Sequence, residues 1–454
     1  MKTNTLDFDA QALREKILDL AMRGKLVPQD PNDEPASELM KNNDLKSSDE
    51  KPHDIPDSWE WVVLGSGVKF INGRAYKKVE LLEDNSLTPV LRVGNLFTNS
   101  SWYYSNLNLD SDKYIDNGDL IYAWSASFGP RIWDGGHVIY HYHIWKLILD
   151  QAIDKNYLYY FLLDKRNVIG ETDLHGSTMK HITKTNMEHL SFPLPPLSEQ
   201  SRIAAKIAQL FALLRKVESS IQQYANLKDL LKSKLLDLAM RGKLVDQDPN
   251  DEPANVLLDK IKAEKDQLVK EKKIKSLPEI TDDEKPFDIP DSWEWVRLGD
   301  VLDVRDGTHD TPKYVSEGVP LITAKNLRNG EIDFSNIKYI SENDAIKINE
   351  GSQVSEGDVL FAMIGTIGNP VLVRTRNNFS IKNVALLKQI AFLNMNFVCQ
   401  YILGSTKLLM KNASGGNQKF ISLKKINKLP FPLPPLSEQS RIVSKLEQLF
   451  TLIG

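Results

Sequence analysis

One cysteine, Cys399, in a chain of 454 residues leaves no partner for a disulfide, which excludes a cross-linked secreted scaffold and suits a reducing compartment. No run of about twenty apolar residues occurs, and the N-terminal stretch MKTNTLDFDAQALREK is too charged for a signal peptide. A soluble, cytoplasmic protein with no membrane partner is therefore expected. An excess of charge of one sign is also missing. With 57 Lys and Arg against 61 Asp and Glu, the formal net charge is −4, so any DNA binding has to come from local basic surfaces. Catalytic motifs are equally scarce: there is no GxxxxGK phosphate loop, no GxGxxG opening a helix and no Asn-Pro-Pro-aromatic methyltransferase motif. The duplicated Asp-Pro-Asn-Asp reads as turn chemistry. Pro56-Asp57 and Pro290-Asp291 lack the Glu-x-Lys of a nuclease carboxylate cluster, and read as turns leading into strands.

What is present is repetition. FPLPPLSEQSRI at 192–203 returns unchanged at 431–442, an offset of 239. KILDLAMRGKLVPQDPNDEPA at 16–36 returns at 234–254, an offset of 218, differing only at Ile17/Leu235 and Pro28/Asp246. Aligned on the stretch between them, Gly454 corresponds to Arg215 and Met1 to Ser219, so the two chain ends together rebuild the central segment minus three residues. This is a two-fold repeat whose second helical copy is shared between the termini, and such a chain should close on itself.

The central segment predicts one long helix. Ile203, Ile207, Leu210, Leu214, Val217, Ile221 and Tyr224 are spaced 4, 3, 4, 3, 4, 3, the apolar seam of lengthwise helix packing. Pro195 and Pro196 keep the chain extended before it, Ser198 is placed to cap it, Glu199 complements the dipole and Gly242 marks its end. Counted from Ser198 to Arg241, it spans roughly 66 Å at about 1.5 Å per residue. Its partner should be the helix split between 437–454 and about 9–23.

The organisation expected is a distal spacer helix at 1–26, a linker at 27–58, a first variable domain at 59–191, the central helix at 192–243, a linker at 244–292, a second variable domain at 293–430 and a closing helix at 431–454. EKPHDIPDSWEWVVLG at 50–65 matches EKPFDIPDSWEWVRLG at 284–299, an offset of 234, so the second linker has gained 16 residues. They fall in ANVLLDKIKAEKDQLVKEKKIK, a Lys-rich run whose favoured reading is a solvated helix. Inside the variable domains, β-branched and aromatic runs such as DLIYAW and DVLFAMIG predict strands, while NYLYYFLLD and NFVCQYILGS predict a helix each. The fold class expected is α/β (α+β): two mixed domains on a long antiparallel, coiled-coil-like helical spacer.

Two constellations of side chains stand out. His137, His141 and His143 lie within seven residues, but their aligned positions in the second half are Arg376, Ser380 and Lys382. A zinc site would thus exist in one half only, and partly exposed strand histidines are the favoured reading. Polar loop clusters fit DNA better. In the first domain they are Lys69, Asn72, Arg74, Tyr76, Lys77, Lys78, Arg92, Asn95, Ser125, Ser127, Arg131, His175, Ser177 and Lys180. The second offers Arg305, Asp306, Thr308, His309, Lys313, Lys325, Asn326, Arg328, Thr366, Asn369, Asn417, Gln418 and Lys419. Arg and Lys match guanine O6/N7, and Asn and Gln match adenine N6/N7. Singly each is an ordinary surface residue; the case rests on their recurrence at corresponding loops.

With PLPPLSEQSRI before each helix, LDLAMRGKL closing each helix, IPDSWEWVxLG leading into each variable domain, and INGRAYKK, LRVGNL and GGNQKFIS inside them, the chain resembles the specificity (S) subunits of type I restriction-modification systems. The resemblance covers nearly the whole length. It implies a non-catalytic recognition subunit whose two target recognition domains each read one half of a split, asymmetric double-stranded DNA site. It implies no cofactor in this chain, and two modification subunits that dock on the helices, carry S-adenosylmethionine and methylate adenine. Restriction subunits using ATP and Mg would join them in host defence. The alternative is a non-catalytic interaction scaffold or ligand-binding module with duplicated heads.

Overall fold

The strand that leads into each variable domain finds its partner in the strand that leads out of it. In the computed structural model, which describes residues 8–97, 101–125, 128–169, 183–270, 277–365, 367–416 and 419–454, Glu60–Val63 pairs antiparallel with Ser191–Leu194, and Glu294–Arg297 with Pro430–Leu433. IPDSWEWV and FPLPPL are repeated together because they form the two sides of one ladder.

The described residues up to 222 form one unit and those from 223 onward form a second. In the first unit, an antiparallel sheet runs in the order Val68–Asn72, Ile144–Leu149, Leu120–Ala123, Gly129–Ile132. A second sheet runs Tyr103–Ser105, Thr88–Leu91, Val138–Tyr140, Tyr114–Ile115, and its two central strands are parallel. The second unit repeats the first sheet as Leu302–Asp306, Val384–Gln389, Val359–Ala362, Gly368–Leu372. Its other sheet runs Tyr314–Val315, Lys338–Ile340, Val319–Ile322, Ser380–Ile381, again with one parallel pair, Val319–Ile322 beside Ser380–Ile381. The expected domain helices are Lys155–Leu163 and Met395–Gly404, capped by Asp154 and Asn394, whose side chains accept from backbone N–H groups of the first turn. Mixed α/β domains with a helical spacer are thus the fold.

The long helix covers Leu197–Met240. Ser198 lies inside its first turn rather than capping it, and the matching C-terminal helix, Leu436–Ile453, starts after Pro435 with no side-chain cap. Within the first unit the helix Ala10–Met22 lies antiparallel on the long helix: Leu18, Ala21 and Met22 share a core with Ile203, Ile207, Phe211 and Leu214, and Arg14 pairs with Glu218 at 2.5 Å. Within the second unit, Leu236, Ala239 and Met240 share a core with Ile442, Val443 and Leu446, and Lys232 lies over the Phe450 ring. The seam is buried at Ile203, Ile207 and Leu214, whereas Val217, Ile221 and Tyr224 are exposed.

The repeated motifs meet around a buried carboxylate. Glu199, in the first turn of the long helix, accepts from Trp59 Nε1 at 2.9 Å and from Gln29 Nε2 at 2.5 Å. Glu438 does the same with Trp293 and Gln247, at 2.8 and 2.5 Å. Arg202 forks onto Asp33 and Arg441 onto Asp251. Gly24 and Gly242 end the helices with φ near +65°, and a Cβ there would stand 2.4 Å from Pro56 Cγ or Pro290 Cγ. Burial raises both Glu pKa values, against the lowering effect of the Trp and Gln hydrogen bonds.

The linkers are more ordered than their polar composition predicts. Ala36–Asn42 is helical, with Ala36 and Leu39 buried. The Lys-rich run is the helix Ala254–Lys270, but not a fully solvated one: Leu257, Leu258 and Ile261 are buried, and Lys265 donates to Asp300 and to the Gly299 carbonyl. Nearby, Arg297 is buried and pairs with Glu284, a bond that holds the Glu284 carboxyl down at about 2; the first unit has Val63 in place of this arginine.

Two outcomes are expected. Trp59→Phe and Trp293→Phe remove the indole donor from a buried carboxylate, and should each destabilise their own unit by about 1–3 kcal/mol in urea unfolding. Glu284 has a folded pKa below its unfolded value, so its contribution is complete above pH ~4.5 and is lost as pH falls towards about 2. Glu284→Gln should flatten the acid-side stability profile in that window; an unchanged profile would deny the coupling.

Candidate nucleic-acid interface

Among the described residues, two turns in each unit organise part of the polar sets named from sequence. The first follows the strands Thr88–Leu91 and Val319–Ile322. In it Asn95 Oδ1 accepts from the Arg92 N–H at 3.1 Å while its amide donates to Ser101 O at 3.3 Å. Asn326 repeats this, with Thr323 N–H at 3.0 Å and Asp333 O at 3.0 Å. Both asparagines are buried, so their amides shape the turn and offer no edge to a base. What the turn presents differs: Arg92, lying on the Tyr103 ring and donating to Ser101 O, in one unit, and exposed Lys325 and Arg328 in the other.

The second turn joins Val138–Tyr140 to Ile144–Leu149, and Ser380–Ile381 to Val384–Gln389. Backbone bridges set Arg74 beside His141 and Thr308 beside Lys382. His141 N–H donates to Leu91 O and Lys382 N–H to Ile322 O, each at 2.9 Å, while Tyr142 and Asn383 donate to Arg74 O and Thr308 O, each at 3.1 Å. The chain can approach this closely only because Gly73 and Gly307 have no Cβ; one would meet Tyr140 O at 2.4 Å and Ile381 O at 2.1 Å. Structurally, then, His141 corresponds to Lys382, a correction to the sequence alignment, which set His143 there. His141 and His143 flank a turn rather than sharing a strand face. Among the described residues no cluster of His, Cys, Asp and Glu could hold a metal ion. His137 is bonded to Asp116 and stacked on Tyr114.

In the second unit these turns border a cleft of about 630 Å³ whose described lining sets Lys325, Arg328, Lys338 and Lys382 against a single acid, Asp333. Low opposing charge makes it suited to a phosphate backbone. Lys338, Lys382 and Asn383 are not among the contact residues expected from sequence; the Lys-Asn pair between two apolar runs was the available signal. Lys419 is exposed, and its carbonyl takes the Gly365 N–H at the cleft edge. Lys313 and Asn369 are exposed. Arg305 is bound to Asp303 and Gly351 O, while His309 bridges Asp306 and Asn383, close to Thr308.

The first unit is less openly basic. Lys69, Lys77 and Lys78 are exposed. Arg74, however, is clamped by Glu80, and Tyr76 donates to Tyr140 O. Asn72 accepts the Trp145 indole N–H at 2.6 Å, and Arg131 donates to Leu96 O and Asp134. Ser125 is half-buried beside Trp124. Ser127, His175, Ser177, Lys180, Thr366, Asn417 and Gln418 lie outside the described residues. No helix among the described residues is long and apolar enough to cross a membrane.

The profile of the type I restriction modification DNA specificity domain matches residues 56–223 and 290–454. The type I restriction enzyme EcoAI specificity subunit of Escherichia coli is 31% identical, with 97% of this chain and 89% of that protein aligned. The EcoEI specificity subunit of the same species is 28% identical over 98% and 89%. Among solved structures, a chain described under complex assembly and conformational transition of the type I R-M system aligns with a TM-score of 0.61 at 20% identity, over 88% of this chain and 92% of that one. The chain belongs to the type I restriction-modification specificity family and is a specificity subunit, a non-catalytic component whose associated catalytic activities reside in other subunits.

Proposed function

We propose that each unit reads one half of a bipartite, asymmetric double-stranded DNA site, the loop cluster of residues 69–78, 92, 125–131 and 141–143 serving one half and that of 305–313, 325–328, 366–369, 382–383 and 417–419 the other. The observation that carries this reading is the matched pair of turns. Asn95 and Asn326 make the same hydrogen bonds, Gly73 and Gly307 the same close approach, yet the side chains presented differ. A constant frame carrying unlike contact sets suits two different half-sites. Phosphate contacts fall to exposed lysines off the turns, Lys69, Lys77, Lys78 and Lys313, and base contacts to the side chains that the turns present. The proposed domains, 59–191 and 293–430, place one such cluster in each.

The helices at 1–26, 192–243 and 431–454 would dock two modification subunits, which supply S-adenosylmethionine and adenine methylation; restriction subunits with ATP and Mg complete the assembly in the cytoplasm. Exposed apolar positions on the long helix offer surface for such docking within each unit, Val217 and Ile221 in the first and Tyr224 and Leu227 in the second. The fold shared with a chain solved in the context of type I complex assembly supports this reading.

The test is genome-wide methylation mapping in cells carrying variants. Lys325→Ala with Arg328→Ala should weaken or relax one half of the methylated motif and leave the other intact. Loss of methylation at every site alike, with equal weakening on unrelated DNA, would reduce these residues to non-specific phosphate contacts.

A further inference from the structure

The turn that carries Lys382 and Asn383 in the second unit carries His141, Tyr142 and His143 in the first, and the two versions differ in kind. Tyr142 is 39% exposed at the tip. Its ring lies 3.9 Å from that of His143, 4.5 Å from His141 and 6.0 Å from Trp124, centroid to centroid. The backbone beneath is held independently of the ring: Trp124 Nε1 donates to Tyr142 O at 2.9 Å, and the Tyr142 N–H donates to Arg74 O at 3.1 Å. The tip is also uncharged at neutral pH. Burial, reinforced by His143 and Arg92, pushes His141 down to about 4, and burial lowers His143 as well. The nearby cations are occupied, Arg74 by Glu80 and Arg92 by Ser101 O and the Tyr103 ring. The same place in the second unit opens on the basic cleft.

We propose that Tyr142 is a specificity-determining residue of the first unit, meeting a base step of its half-site by stacking and apolar contact, whereas Lys382 and Asn383 serve the second half-site through charge and amide hydrogen bonds. The inference rests on the DNA-reading function proposed above. A neutral aromatic tip gains its contact in a duplex by wedging at a deformable base step or packing on a thymine methyl, which releases no counterions, whereas a lysine near phosphates gains much of its contact from counterion release. The two halves of one site would then be held by physically different means.

The experiment measures DNA binding by the full chain assembled with its modification subunits, across a salt series, on cognate DNA and on DNA altered in either half-site. Tyr142→Ala should weaken cognate binding about tenfold and abolish discrimination at the first half-site, with the slope of log K against log salt unchanged. Tyr142→Phe should behave as the parent, since the tip offers its ring. Lys382→Ala should lower the slope by about one and act on the second half-site. Should the alanine chain melt early, Tyr142→Asn, carrying the second unit's residue, provides the same test. Unchanged discrimination in Tyr142→Ala, or a reduced salt slope, overturns the inference while leaving DNA reading intact. A parent complex that does not distinguish cognate from unrelated DNA overturns the DNA reading itself.

Discussion

Two carboxylates withdrawn from water set the terms for everything else in this chain. Glu199 and Glu438 are each 1% exposed at the start of a helix, and each is kept there by an indole N–H and a glutamine amide arriving from distant parts of the sequence. Desolvating a carboxylate is costly unless its lone pairs are taken, and two short hydrogen bonds together with the positive end of a helix take them. The requirement is strict about identity: a phenylalanine in place of the tryptophan, or a shorter amide, leaves a buried oxygen without a donor. Arg202 with Asp33, Arg441 with Asp251, and the buried amides of Gln200 and Gln439 extend the same junction to the linker and to the starts of the helices Lys155–Leu163 and Met395–Gly404.

That strictness explains why the architecture was legible. FPLPPLSEQSRI and DIPDSWEW recur nearly letter for letter because their side chains bond to one another, and any reading that follows the repeats arrives at two domains framed by helices. The long helix was equally plain from its seam. What its seam did not disclose was coverage: Ile203 and Ile207 are buried while Ile221 and Tyr224 are not, because periodicity marks an apolar face without naming what lies on it. The short helix Ala36–Asn42 was hidden by its proline-rich, polar surroundings, although Leu39 is anchored in the core.

The loops were legible as places and illegible as surfaces. Asn95 and Asn326 are polar residues in polar turns, yet the nearest unsatisfied backbone N–H, three residues back, claims each side chain. Arg74 and Arg131 are spoken for by Glu80 and Asp134. Conversely, Tyr142 and Lys382 were hidden as contact residues because an alignment at the constant offset of 239 sets His143 where the backbone bridges set His141, two residues away, and only one of those two lies in the turn itself. Direction and register, rather than residue type, decide which side chains face outward, and both are properties of the folded backbone.

The backbone and the inward-facing amides of Asn95 and Asn326 frame each turn, and two outward side chains add bonds of their own, Arg92 to Ser101 O and Arg328 to Lys325 O. Arg92 and Thr323 occupy equivalent posts, each donating its backbone N–H to the asparagine of its own unit, and Thr323 adds its hydroxyl to the same oxygen. Retargeting such a chain therefore has an uneven thermal cost: exchange of an exposed side chain that makes no bond to the frame, such as Lys325, leaves the melting temperature nearly unchanged, whereas exchange of Arg92 also removes a tie to Ser101 O.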